Sequence, residues 1–445
     1  MKLPCLFSVV FTCCMVILSF IFTFQNRFIK PLINKCPEAN ATFPFWSRGF
    51  ARTCCDVYPT LFGKHKGGFF EAGSLSDSTY FLKRGSKSGD ILYVATADFP
   101  VFLDIFHGFD MSMRITLVTG GDDIGAPWEI FHPNRNFYDY KMSALWPKGQ
   151  VMTMRQFLGD TRLLRWYAQN YDLVGNTSFT KSDVNELKDK EIIAKVFPLP
   201  IGLDFHTLAE KNRKLSPQQA LDSVCDQNKD LSVVLSKALP FNQRHPHIYA
   251  KFDCEFKKHK HMREFNRGEI CGLLKLHHQN SSGNKSDHII FADSRANKKE
   301  QNLSLRESKL FFWKQVAKVQ FALAPAGMGT DTHRVWEILH IHCVPIVISS
   351  PLDGLYKMFP VIIVKKWSEI FDQGAASKFL AEIKKNFGAD PFKDSVLEKL
   401  GANYWIKEIR NSSKYITGKP VAKNSSSDML RSLSPSLSLA RSDLT

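Results

Sequence analysis

The chain opens on an unbroken apolar run, LPCLFSVVFTCCMVILSFIFTF, from Leu3 to Phe24. Roughly 20 apolar residues cross the hydrocarbon core of a bilayer. A cleaved secretory signal has a shorter apolar region, about 7–15 residues, and a small-residue cleavage site. The following TFQNRF offers no such site. The pattern therefore predicts an uncleaved transmembrane signal anchor over 3–24 behind a cytoplasmic tip, 1–2. Periodicity is then lost over 25–88, where KPLINKCPEANATFPFW, TCCDVYPT and GKHKGG mix Pro, Gly, Cys and charge. Such a stretch reads as an irregular stem tied by disulfides.

From Gly89 apolar runs alternate with helical spacing. DILYVATADF and MRITLVTGGDDIGAPWEIF read as strands ending in turns, and AKVFPLPIGLDF as a short strand. MRQFLGDTRLLRWYAQNYDL has helical spacing at Phe157, Leu163, Leu164 and Tyr167. Strands alternating with helices predict an α/β domain with a largely parallel sheet over 89–207. A polar, partly helical connector follows at 208–229. The alternation resumes over 230–410: LSVVLSKALPFNQR as strand and loop, HIYAKFDCEFKKHKHMREF as a basic helix, DHIIFADS as a strand, and SLRESKLFFWKQVAKV as an amphipathic helix. The Ser-rich segment 419–445 has few aromatics and reads as disordered. Two α/β halves place a ligand cleft at the carboxyl ends of their strands.

Charge narrows the ligand. Lys and Arg number 59 against 43 Asp and Glu, a net charge of +16. That excess suits an anion: nucleotide phosphates, acidic sugars, a membrane surface or nucleic acid. Nucleic acid is set aside, since neither paired Cys/His finger spacing nor an RNP-type aromatic stretch occurs. Arg27, Lys30 and Lys35 after the apolar run, against Lys2 before it, lean towards a cytoplasmic body. Two features point to a lumenal body instead. Glycosylation triplets occur at Asn40, Asn176, Asn280, Asn284, Asn302, Asn411 and Asn424. Cys36, Cys54 and Cys55 cluster just past the run, where disulfides form in an oxidising compartment. Cys225, Cys254 and Cys271 are further disulfide candidates.

The sharpest chemical signal is QFALAPAGMGTDTHRVWEILHIHCVPIVISS, residues 320–350. FALAP reads as a buried strand, AGMGTDT as the loop at its carboxyl end, and HRVWEILHIH as a helix with Val335, Ile338, Leu339 and His342 on one face. A strand, glycine loop and helix present free backbone N–H groups and a partial positive charge to an anion. It is not a P-loop, because no Lys-Ser/Thr follows the glycines. Gly327 and Gly329 give G-x-G, but Thr332 stands where a dinucleotide fingerprint has its third glycine. Arg334 and Glu337 share a helix face. They read either as a diphosphate partner and a ribose partner or as an exposed salt bridge.

The stretch from FALAPAGMG to IIVKKWSEI resembles the C-terminal signature of exostosin-like glycosyltransferases, family 47 and its relatives. The matching elements are Pro325, Gly327, Arg334, Glu337, Cys343 to Val347, and Val361 to Glu369. WYAQN with PLPIGLD, and PFNQRHPHIYAKF, resemble other exostosin-like segments. The resemblance implies a GT-B fold, two Rossmann-like domains facing a cleft, behind the N-terminal transmembrane helix. It implies a single-pass type II protein of the Golgi or endoplasmic reticulum with a lumenal catalytic body. It implies an inverting transfer from a UDP-sugar to a glycan or glycoprotein acceptor, with no tightly bound cofactor or metal. Arg244 and Arg334 would hold the diphosphate, Glu337 the ribose, and Gly327 and Gly329 the close backbone approach. Association with other glycosyltransferases is a further expected partnership. Two alternatives stand beside it: an inactive glycan-binding protein of the same fold, and a GDP-sugar-dependent transferase. The chain departs from its relatives at His342, where many have Gly.

Other candidates are plainer. GGDD at 120–123 reads as a turn after a strand, though Asp122 and Asp123, with Asp98, are the base candidates of the acceptor half. His340, His342 and Cys343 could suggest a metal cluster, but His at i and i+2 face different directions on a helix. KKHKHMR, 257–263, is a basic stretch that reads as a solvated helix face.

Overall fold

A computed structural model describes residues 43–58, 87–121, 123–131, 152–172, 194–208, 217–254, 267–280, 288–292, 303–327 and 329–415. The apolar runs become parallel strands, and so does LLRWYA, read as helical: the helix there ends at Gly159, and Leu163–Ala168 is a strand. In the first half these are β1 (Ile91–Ala95), β2 (Ile115–Gly120), β3 (Leu163–Ala168) and β4 (Val196–Pro198). They pair in that order, with Leu92 opposite Leu117 and Trp166 opposite Val196. Strands β1 and β2 are buried throughout, as continuous apolar runs in a two-faced sheet should be. The second half has β5 (His245–Ala250), β6 (Ile289–Phe291), β7 (Val319–Leu323), β8 (Val344–Ile348) and β9 (Ile362–Val364). Its order is β6-β5-β7-β8-β9, all parallel. After β5 the chain goes to one side, to β6, then returns to the other side, to β7. The crevice between β5 and β7 is the topological switch point of that sheet.

The helices are α1 (Ser47–Cys54), α2 (Phe99–His107), α3 (Trp128–Phe131), α4 (Met154–Gly159), α5 (Pro217–Ser236), α6 (Arg267–Asn280), α7 (Leu305–Val316), α8 (His333–His340), α9 (Asp353–Tyr356), α10 (Ala375–Phe387), α11 (Asp394–Leu400) and α12 (Ala402–Tyr415). In the first half the core is aromatic. Phe99 of α2 stacks on Trp166 of β3 at 5.1 Å, and Phe131 and Phe157 meet it edge-on. Helix α7 starts at a capping box: Ser304 Oγ accepts from the Glu307 amide, and Glu307 accepts from the Ser304 amide.

Several expected boundaries move. Residues 43–58 fall within the expected stem, yet Phe43, Phe45, Trp46 and Phe50 are buried and the Val57 strand bridge extends the first sheet. Helix α12 also returns to that half. On α12, Ser413 Oγ meets Thr116 at 2.9 Å, Ser412 Oγ meets Tyr167 at 2.7 Å, and Arg410 donates to the Cys54 carbonyl. The run read as a strand, LSVVLS, is the end of α5. Leu231 and Val234 are buried one turn apart, while Val233 is 44% exposed, a helical rather than alternating pattern. The strand is instead HPHIYA, the start of the segment read as a basic helix.

Cys254 and Cys271 form a disulfide, and Cys225 is also disulfide-bonded. Cys54 and Cys55, expected in bridges, are buried thiols within the core, as is Cys343. Among the described residues no helix is long and apolar enough to cross a membrane. The run 3–24 and the segment 419–445 lie outside the described residues, as do Asn40, Asn176, Asn284, Asn302, Asn424 and the basic stretch 257–263. Asn280 closes α6, and Asn411 is exposed on α12.

His342 has φ +55, the left-handed region that glycine enters without steric cost. Here a histidine takes the strained conformation, at a cost of about 1–2 kcal/mol, and its ring stacks on Phe392 at 5.1 Å.

Candidate functional site

The glycine turn lies where the switch point requires it. Strand β7 ends at Leu323, the loop 324–332 follows, and α8 begins at His333. Across the crevice β5 ends at Ala250, and α6 begins at Arg267. Helices that leave the sheet in opposite directions thus bring their first turns together. Arg267 Nε donates to the Ala326 carbonyl at 2.8 Å, and its Nη2 lies 3.0 Å from where a Gly327 Cβ would be. Arg334 Nη1 donates to the Lys251 carbonyl, and its guanidinium lies over the Phe312 ring. Burial and the Arg267 charge push the Arg334 pKa down to about 10. Burial also lowers that of Arg267, against the carboxylates of Asp253 and Asp123. Two guanidinium groups crowded at two helix N-termini suit a polyanion, which would relieve the repulsion between them.

Glu337 is buried, and its Oε1 lies 3.2 Å from Lys309 Nζ of α7. Its ion-pair partner is thus a residue of another helix rather than Arg334. Lys309 also donates to the Asp204 carbonyl. Gly327, Gly329, Arg334 and Glu337 are therefore brought to one crevice, together with Arg267, Lys251 and Lys309, which the sequence reading missed.

Arg244 is not among them. It precedes β5, at the amino-terminal edge of the sheet, opposite the glycine loop. It donates to the carbonyls of Leu239 and Ile341, at 2.8 and 2.9 Å. There it caps the end of α8 and lines, with His342 and Phe392, a cavity of about 510 Å³ away from the crevice. Arg244 thus stands apart from the glycine loop, while Arg267 lies against it.

The loop is tied to the first half through Asp331. Its Oδ2 accepts from the Ile201 amide at 2.8 Å, its carboxylate also accepts from Trp336 Nε1 and Tyr356 OH, and its amide donates to Asn170 Oδ1. Burial raises the Asp331 pKa to about 6, against the pull of these donors. Gly329 sits under Asn170: a Cβ there would come 2.5 Å from Asn170 Oδ1. Gly329→Ala should force the loop off Asn170 and cost about 1–3 kcal/mol. Thermal unfolding checks this, and an unchanged midpoint would show that Asn170 gives way freely.

The base candidates divide. Asp98 is buried in the 3-10 turn after β1. Asp123 is half-buried beyond β2, and its charge reaches Arg267 across the cleft. Asp122 lies outside the described residues. His340 Nδ1 donates to the Trp336 carbonyl, 2.8 Å away, and His342 stacks on Phe392, so these two do not converge with Cys343.

No protein-family model matches the sequence, and no curated protein matches it. Similar solved structures include trehalose-6-phosphate synthase from E. coli bound with UDP-2-fluoro glucose, at 12% identity, 80% coverage of this chain, 76% of that one and a TM-score of 0.31. An apo structure of OtsA gives 12% identity, 78% and 76% coverage and a TM-score of 0.32. Another trehalose-6-phosphate synthase structure gives 12%, 76%, 75% and 0.33. Likeness of this degree says nothing of substrate or mechanism.

Proposed function

We propose that the chain is a glycosyltransferase of GT-B type that moves a sugar from a UDP-sugar to a glycan or glycoprotein, with inversion. The observation that carries the reading is the convergence of Arg267 and Arg334 on the glycine loop at the switch point of the second sheet. The diphosphate would lie between the two guanidinium groups and the loop amides, and Glu337 would take the ribose hydroxyls. An acceptor hydroxyl attacks the anomeric carbon from the side of the first half. Asp123, whose charge reaches Arg267, is our candidate to take its proton. As the glycosidic bond to the diphosphate breaks, negative charge grows on its oxygens. The fixed guanidinium groups and helix N-termini stabilise that charge most when it is largest.

The exostosin-like signature favours this class, and a Golgi or endoplasmic-reticulum lumenal body anchored through 3–24 goes with it. The Cys254–Cys271 disulfide supports an oxidising compartment. A hydrolysis screen of the full chain against UDP- and GDP-sugars tests the reading. Release of UDP from one UDP-sugar is expected. Turnover of GDP-sugars alone would reassign the donor, and no turnover with any would leave the glycan-binding alternative.

A further inference from the structure

Beside the crevice, Asp204, His206 and His333 bring one carboxylate and two imidazoles together, with ligand atoms all within 4.8 Å of one another. The three residues come from two places far apart in sequence. Asp204 and His206 lie on the segment leaving β4, and His333 is the first residue of α8. Tertiary packing, not a local motif, assembles the group.

The chemistry of the cluster suits a cation that prefers nitrogen and carboxylate ligands. His333 Nδ1 lies 2.6 Å from the Gly202 carbonyl. A carbonyl only accepts, so Nδ1 carries the proton and Nε2 keeps its lone pair. Such a bond fixes tautomer and ring orientation in metal-binding histidines. His206 Nδ1 lies 3.4 Å from Asp204 Oδ1, and the two imidazole rings meet edge-on at 5.2 Å. Asp204 and His333 are half-buried and His206 is buried.

We propose that Asp204, His206 and His333 form a zinc site with one open coordination position, pinning the segment after β4 to the start of α8. Two imidazoles and a carboxylate are a known ligand set for open zinc sites. In tetrahedral zinc the ligand atoms lie about 3.3 Å apart, from bond lengths near 2.0–2.1 Å. The cluster must therefore draw in by up to about 1.5 Å, within reach of side-chain rotation. Lys309 is the competitor. Its Nζ lies 4.0 Å from Asp204 Oδ2 but 3.2 Å from Glu337. When zinc takes Asp204, the ammonium keeps Glu337 as its partner. The site involves none of the donor-binding groups assigned to the diphosphate, and it stands or falls apart from the glycosyltransferase reading.

The test is calorimetric titration of the metal-stripped full chain with Zn²⁺, with Co²⁺ absorption as a second readout. One equivalent of Zn²⁺ should bind, and Co²⁺ should give the visible bands of a four-coordinate site. His333→Asn keeps a donor for the Gly202 carbonyl but removes the ligand nitrogen. It should weaken Zn²⁺ binding at least tenfold, with thermal unfolding in chelator unchanged. His206→Gln should do the same, guarding against a folding defect in either variant alone. Lys309→Met should tighten binding, because it removes the competing cation. No binding, or binding that both histidine variants leave intact, would overturn the proposal.

Discussion

Replacing Arg334 with methionine should slow turnover of a UDP-sugar about 10²–10³-fold without lowering the unfolding temperature. The two effects have one cause. In the unliganded protein Arg334 is a cation packed against a second cation, Arg267, and over the Phe312 ring. Methionine covers Phe312 and removes the repulsion, at the loss of one bond to the Lys251 carbonyl. With a diphosphate bound, the same guanidinium is a charge-assisted partner of the leaving group. Its loss should cost about 3–4 kcal/mol of transition-state stabilisation, a factor of about 10²–10³ in kcat, as for other preorganised donors. Arg334→Lys keeps the charge but loses the planar fork, and should recover only part of the rate. Steady-state kinetics and a thermal melt check both halves. A variant that loses stability and rate in step would make Arg334 a structural residue.

The second large effect is acid lability. Burial holds His340 and His342 at a pKa of about 4, with the Arg244 charge adding to the effect at His342. An unfolded histidine titrates near 6.5. A group with a depressed folded pKa is neutral in the native state but takes up a proton on unfolding. Its stabilisation is therefore complete above about pH 6.5 and is lost as pH falls towards 4. Each histidine accounts for roughly 3 kcal/mol over that window. Asp331 works in the opposite sense. Its folded pKa of about 6 lies above the unfolded value near 3.9, so acidification from 6 to 4 returns roughly 3 kcal/mol. Two histidines outweigh one aspartate, and denaturant midpoints should fall between pH 6.5 and 4.5. His342→Asn removes one titrating group and places a residue that accepts positive φ. Its pH profile should be shallower by about one proton. An unchanged slope would show that His342 protonates freely in the folded protein.

Which parts of this were legible in the sequence follows from range. Two α/β halves, parallel sheets and a glycine loop on a strand end are local patterns, and each has its own periodicity. The end of α5 reads as a strand because VVL is apolar without a break. Only burial separates Leu231 and Val234 from the exposed Val233. The return of α12 to the first half was not legible, since the Ser412 and Ser413 hydroxyl contacts with Tyr167 and Thr116 span most of the chain. Arg334 and Glu337 were visible because they sit on the loop's own helix. Arg267 was not, because it joins the loop only through sheet order, which reverses between β6 and β7. Arg244 was assigned from a motif resemblance and lies at the opposite end of its strand. Asp331 stood in the quoted loop, but its donors come from Ile201, Trp336 and Tyr356. The positive φ of His342 connects a sequence departure to a backbone conformation that no composition reveals.

The central claim is that Arg267 and Arg334 together make a diphosphate site. Titration of UDP and of uridine into the full chain by calorimetry tests it most directly. UDP should bind much more tightly than uridine. Arg267→Ala and Arg334→Met should each bring UDP down to the uridine affinity, and Arg244→Ala should not. Equal affinity for UDP and uridine in the wild-type protein, or UDP binding that survives both arginine substitutions, would contradict the account.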